Sequence, residues 1–102
     1  VKNVYITGAG ILSAIRIGKE STLDSIPNLR SGVEPLRYLQ TSHTEYPVGE
    51  VKHSNDEIRE MLGIPPEKAV IRSSLLGILA VQEAMSQARL DNRDSLRIAF
   101  IS

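Results

Sequence analysis

Gly8-Ala9-Gly10 follows four strand-forming residues, Val4-Tyr5-Ile6-Thr7. A glycine turn at the end of a strand is where many α/β proteins hold a phosphate on backbone N–H groups. That chemistry needs a third Gly or Ala three residues after the second glycine, a helix opening at the turn, and an acidic residue about twenty positions on, at the end of another strand. Here Ser13 holds the third place with Ala14 beside it, and Ser13, Arg16 and Gly18 break any helical pattern starting at Ile11. The region near residue 30 reads as a turn rather than a strand end. The nucleotide fingerprint is thus incomplete, and the plainer expectation is that the glycines let the chain leave a buried strand with dihedrals other residues avoid.

Other chemistry-bearing residues do not converge. His43 and His53 lie ten residues apart in loop-like sequence without a second ligand at helical spacing, so solvated loop histidines are expected rather than a metal site. No serine sits in a Gly-x-Ser-x-Gly elbow, and Ser21 and Ser54 have helix-capping roles to fill. Asp56, Glu57, Glu60, Glu67 and Glu83 read as helix-start or solvent-face carboxylates. The chain has no cysteine, hence no thiol nucleophile and no thiolate ligand of its own, which is compatible with a reducing cytoplasm. No catalytic, cofactor-binding or metal-ligating residue is assigned, and no cofactor is expected.

Composition narrows the class. With 102 residues the chain suffices for a single domain, and 41% hydrophobic with 24% charged residues suits a folded globular chain. Twelve basic residues balance twelve acidic ones, and aromatics are only 4%, so nothing concentrates the chain on nucleic acid or anionic lipid. The apolar start is interrupted by Thr7, Gly8, Gly10 and Ser13 and ended by Arg16, too short for a membrane span.

The elements that would position these residues follow from periodicity. Val4–Thr7 reads as a strand buried on both faces, as in a parallel sheet. Ser21 with Asp24 resembles a capping box opening a short helix, which Pro27 should end near Ser25 or Ile26. Arg30-Ser31-Gly32 is a stop, and the next fifteen residues, with Pro35 and Pro47, read as irregular connection. Val48–Lys52 allows a short edge strand with Glu50 and Lys52 in water. Ser54 and Glu57 form a stronger capping box, with Ile58, Met61 and Leu62 on the apolar face and Gly63 as the stop. Pro65-Pro66 opens a long helix of roughly 33 Å over about 67–88, apolar enough to be buried on most sides. Ser73, Ser74 and Gly77 form a small-residue patch on it, suited to close packing. Asn92-Arg93-Asp94 makes a turn, and Arg97–Ile101 reads as a second buried strand, completing an α/β crossover.

The order of the pieces carries a further signal. Val-Tyr-Ile-Thr-Gly-Ala-Gly-Ile-Leu-Ser at 4–13, Leu-Arg-Ser-Gly-Val at 29–33, Val-Gly-Glu-Val-Lys at 48–52 and Ile-Leu-Ala-Val-Gln-Glu-Ala-Met-Ser-Gln-Ala at 78–88 resemble the amino-terminal quarter of β-ketoacyl-[acyl-carrier-protein] synthases. The resemblance covers nearly all of residues 1–102, which would form a single, partial domain. It implies the first part of a thiolase-like layered α/β/α/β/α fold, incomplete in this chain, in which the glycines shape backbone and bind no nucleotide.

It also implies a 3-oxoacyl-[acyl-carrier-protein] synthase: a cytoplasmic homodimeric acyltransferase that condenses an acyl thioester with malonyl-acyl carrier protein in fatty acid or polyketide biosynthesis. Its nucleophilic cysteine at a helix start and its two histidines lie later in the family's sequence. No catalytic residue therefore transfers to this chain, which alone is expected to be inactive. Three positions depart from the family's pattern: Arg16 and Arg89 stand where glycine is general, and Pro27 falls within its first helix. An Arg89 forced into a left-handed cap costs on the order of 1 kcal/mol. The competing readings are a non-catalytic synthase-like subunit of the chain-length-factor type, a small nucleotide-binding α/β module and a free-standing interaction domain. One structural expectation follows from incompleteness: Ile98, Phe100 and Ile101 lack a neighbouring strand on at least one side.

Overall fold

Ile58 and Leu75, on two helices packed against each other, are the apolar side chains fully closed to solvent among the described residues. The structure, a computed structural model, describes residues 2–90 and 92–101. It is a small mixed α/β arrangement of three helices and a two-stranded sheet: α1 (Lys19–Ser25), β1 (Val33–Glu34), β2 (Val48–Gly49), α2 (Asn55–Leu62) and α3 (Arg72–Gln87), with a 3₁₀ turn at Arg93–Ser95.

Helix α2 forms as its sequence dictates. The Ser54 hydroxyl accepts the Glu57 N–H at 3.1 Å while the Glu57 carboxylate accepts the Ser54 N–H at 2.6 Å. Two donors otherwise orphaned at the helix start are thereby satisfied. At the other end Gly63 turns left-handed (φ 64°), and the Ile64 N–H reaches the Arg59 carbonyl at 2.9 Å.

Helix α3 corrects the expectation of a start at Pro65-Pro66. Residues 65–68 make a turn instead, closed by the Lys68 N–H on the Pro65 carbonyl, and α3 begins at Arg72. The reason is a side chain: the Arg59 guanidinium donates to the carbonyls of Lys68 (2.7 Å) and Val70 (3.1 Å), oxygens that a helix through this stretch would need for its own ladder. The sixteen residues span about 24 Å. Leu75 is buried, but Ile78 and Val81 are exposed, so α3 is not enclosed on most sides.

Helix α1 begins at Lys19, two residues ahead of the expected Ser21 cap. Ser21 is not the cap; its hydroxyl donates back to the Ile17 and Gly18 carbonyls. The end at Ser25, before Pro27, is where the proline places it. Strands β1 and β2 pair antiparallel, Val33 opposite Gly49 and Glu34 opposite Val48, so the stretch expected to be irregular contains one strand of this ladder.

The two segments expected as buried parallel strands are neither. Residues 4–7 and 97–101 join no ladder, and Val4, Ile6, Phe100 and Ile101 are at least 79% exposed. Strand propensity is realised only through pairing and a covered face, and no described segment supplies either. Ile98, Phe100 and Ile101 thus have no neighbouring strand among the described residues. The whole surface shows the same deficit. The accessible area is 8303 Å², against roughly 5,700 Å² for a compact monomer of this mass. The radius of gyration is 16.3 Å, where about 13 Å is usual. Among the described residues no helix is long and apolar enough to cross a membrane.

Candidate functional site

The glycine turn lies directly on the backbone of α3. A methyl group added at Gly10 would stand 1.8 Å from the Ala80 carbonyl oxygen, and one at Gly8 would stand 2.1 Å from that of Ala84. Neither glycine has a positive φ; Gly18 and Gly63 do. The expectation of unusual dihedrals at Gly8 and Gly10 is therefore replaced by close approach: two hydrogens in place of side chains let one segment run along the alanine face of a helix. The Ser73, Ser74 and Gly77 patch is not the face used. All three residues are exposed, and nothing lies within 4 Å of a Cβ built on Gly77.

Side chains of α3 hold the turn. The Ile11 N–H donates to Glu83 Oε2 at 2.8 Å and the Ala9 N–H to Gln87 Oε1 at 3.2 Å. The second Glu83 oxygen accepts the Lys19 N–H at 2.7 Å, so a carboxylate 64 residues away caps the start of α1. Glu83 is not the solvent-face carboxylate expected of it. The Lys19 N–H, then the Ile11 N–H, pull its pKa below the ordinary value, outweighing partial burial, with the Lys19 charge assisting. Two of the turn's backbone donors, the Ala9 and Ile11 N–H groups, are thus given to a carboxamide and a carboxylate. A phosphate there would meet negative charge.

A second polar centre links the sheet to the other end of α3. Glu50, expected in water, is only 8% exposed and accepts the N–H groups of Arg37 (2.9 Å), Tyr38 (3.1 Å) and Leu39 (2.6 Å). Its immediate neighbours shield it rather than depth, in a molecule 22 Å across its shortest axis. Burial raises the Glu50 pKa, but the three N–H groups and the Arg72 guanidinium together lower it further, leaving it below the ordinary value. Arg72 donates to the carbonyls of Val51 and His53 and to Asn55 Oδ1, and stands 5.8 Å from the centre of the Tyr38 ring. Lys52, also expected in water, is half-buried and donates to the Gly32 carbonyl at 2.9 Å.

The remaining candidates are not gathered into a reaction centre. His43 stands 3.6 Å from Glu45 and His53 stands 3.7 Å from Glu57, each beside its own carboxylate. Among the described residues no group of three or more His, Asp or Glu side chains could hold a metal ion. A cleft of about 520 Å³ beside α3 is lined by apolar residues from α2, α3 and the segments after them together with Gln82, Ser86, Arg89 and Arg93, without a carboxylate or imidazole. A second, of about 470 Å³, contains Glu83, both of whose oxygens are already engaged. Of the departures, Arg89 takes the left-handed conformation that glycine would favour (φ 49°), and Leu29 does the same unannounced.

Glu50, Glu83 and Arg72 organise the structure, and no local pattern in the sequence marks them. Their partners are 11 to 72 residues distant. No protein-family model, curated protein or solved structure matches this chain significantly.

Proposed function

We propose that this chain is the amino-terminal part of a β-ketoacyl-[acyl-carrier-protein] synthase, a cytoplasmic homodimer acting on acyl thioesters and acyl carrier protein. The reaction is decarboxylative Claisen condensation with a malonyl unit, in fatty acid or polyketide synthesis. The observation that carries the reading is the glycine turn seated on α3. Gly8 and Gly10 act as packing surface for Ala84 and Ala80, and the Ala9 and Ile11 N–H groups of the turn are given to Gln87 and Glu83. This disfavours the nucleotide-binding alternative and suits a family whose glycines shape the backbone.

On this reading the layered thiolase-like fold is completed by sequence beyond Ser102, and residues 4–7 and 97–101 become paired strands there. The surface excess supports it, because several apolar segments wait for cover. The thiolate nucleophile and the two histidines that steady the enolate and oxyanions belong to the later sequence. None of the present residues touches substrate.

The test is to express the complete reading frame that contains these residues and to assay carbon dioxide release and 3-oxoacyl product from malonyl-acyl carrier protein and an acyl thioester. Condensation abolished by replacing a downstream cysteine is the expected result. A complete protein lacking that cysteine and inactive alone would point to the non-catalytic subunit. A natural stop after Ser102 with a compact monomer that binds no hydrophobic dye would remove the proposal and favour an interaction domain.

A further inference from the structure

A small concavity of about 80 Å³ lies between the turn at 13–17 and the chain leading into α2, with Ser13, Arg16, Lys52 and His53 on its wall and Ile15 and Ile17 beside them. We propose that it binds a phosphoryl group, as free phosphate or on a small monoester. The site is separate from the glycine turn and does not depend on the synthase reading. Arg16 is a position where the resembled family generally has glycine.

Size is the first argument. At about 80 Å³, against about 520 and 470 Å³ for the two clefts beside α3, the concavity suits a small anion rather than a larger ligand.

Donor chemistry is the second. The lining brings together residues that carry a guanidinium, an ammonium, an imidazole and a hydroxyl, from segments some 36 residues apart. Arg16 is exposed and pairs with no carboxylate among the described residues. Lys52 and His53 face Glu34 and Glu57 at 3.6 and 3.7 Å, beyond good hydrogen-bond length, and the Lys52 ammonium, which gives one proton to the Gly32 carbonyl at 2.9 Å, keeps two further donors. The Ser13 hydroxyl oxygen accepts the Ile15 N–H at 3.3 Å and lies 3.5 Å from the Arg16 carbonyl, too long to commit its proton there. A tetrahedral group with three free oxygens matches donors arriving from several directions better than a planar carboxylate does.

The experiment is an amide-resolved NMR titration of the full-length ¹⁵N-labelled protein with inorganic phosphate, then with glycerol phosphate, then with acetate, at constant ionic strength. Saturable shifts confined to residues 13–17 and 52–53 are expected with phosphate. Arg16→Ala should weaken binding about tenfold, the loss of one charge-assisted contact, with Arg16→Lys intermediate and the exposed Arg97→Ala unchanged. Glycerol phosphate saturating the same amides identifies an ester as an acceptable source; saturation by phosphate alone identifies the free anion. Unsaturable or scattered shifts, equal binding of acetate, or an Arg16→Ala protein that binds as well as the parent would overturn the site. The spectrum of each variant reports its folding in the same experiment.

Discussion

Replacing Gly10 by alanine tests the central packing claim. The new methyl carbon would lie 1.8 Å from the Ala80 carbonyl oxygen, whereas a carbon tolerates such an oxygen only from about 3.3 Å, so the turn must retreat by roughly 1.5 Å. That movement carries Ile11 N–H, now 2.8 Å from Glu83, out of hydrogen-bond range. Overpacking against rigid backbone costs about 1–3 kcal/mol, and the lost bond to a partly exposed carboxylate adds about 1 kcal/mol. A destabilisation near 3 kcal/mol is therefore expected, a large share of the roughly 5–15 kcal/mol available to a folded domain. Urea unfolding followed by circular dichroism measures it. Gly77→Ala is the internal control, because the same chemical change at an exposed helix position with nothing within 4 Å should stabilise by about 0.5–1 kcal/mol. Opposite signs at the two glycines are the signature of close approach. A Gly10→Ala protein within 0.5 kcal/mol of the parent would refute the reasoning.

Three further outcomes follow from the local chemistry. Because the Glu83 pKa is lowered on folding from an ordinary 4.5, its stabilising contribution is present above that value and is lost as pH falls through the depressed one. Glu83→Gln should therefore lower stability at pH 7 and flatten the acid limb of a pH–stability curve; an unchanged acid limb would contradict the assigned bonds. Ser54→Ala removes the hydroxyl that accepts the Glu57 N–H and should cost about 1 kcal/mol in denaturant unfolding, whereas Ser73→Ala, exposed in α3, should cost almost nothing. Arg89→Gly relieves a left-handed arginine at φ 49° and should raise the melting temperature by a few degrees, the strain of about 1–2 kcal/mol being partly offset by glycine's extra chain entropy.

What was legible in the sequence was local. The box at Ser54 and Glu57, the stop at Gly63 and the end of α1 before Pro27 all depend on neighbours within a turn or two, and the structure has each of them. The errors came from distant partners. Ser21 looks like a cap because nothing nearby reveals that Glu83 will reach the Lys19 N–H. Glu50 looks like an exposed strand carboxylate because the three N–H groups that enclose it come from an irregular segment with no periodicity to read. Pro65-Pro66 is a sound helix opening, yet Arg59 takes the carbonyls first. Residues 4–7 and 97–101 have strand composition, and composition gives no pairing partner.

Helix α3 bears on function through what it leaves bare. One face receives Gly8, Gly10 and the Glu83 and Gln87 hydrogen bonds, and another meets α2, while the exposed Ile78 and Val81 help to line a cleft, edged by Arg89 and Arg93, that no described segment fills. The area in excess of a compact monomer is roughly 2,600 Å², about three times the 800 Å² that one partner contributes to an ordinary interface. A single protein docked through an interface of that ordinary size would leave most of it wet. Cover on that scale suits continuous layers, strands laid beside 4–7 and 97–101 with more structure over the cleft, which is what the condensing-enzyme proposal requires of the sequence that follows. A nucleotide, by contrast, would cover a few hundred square ångströms at most and would have to displace Glu83 to do it.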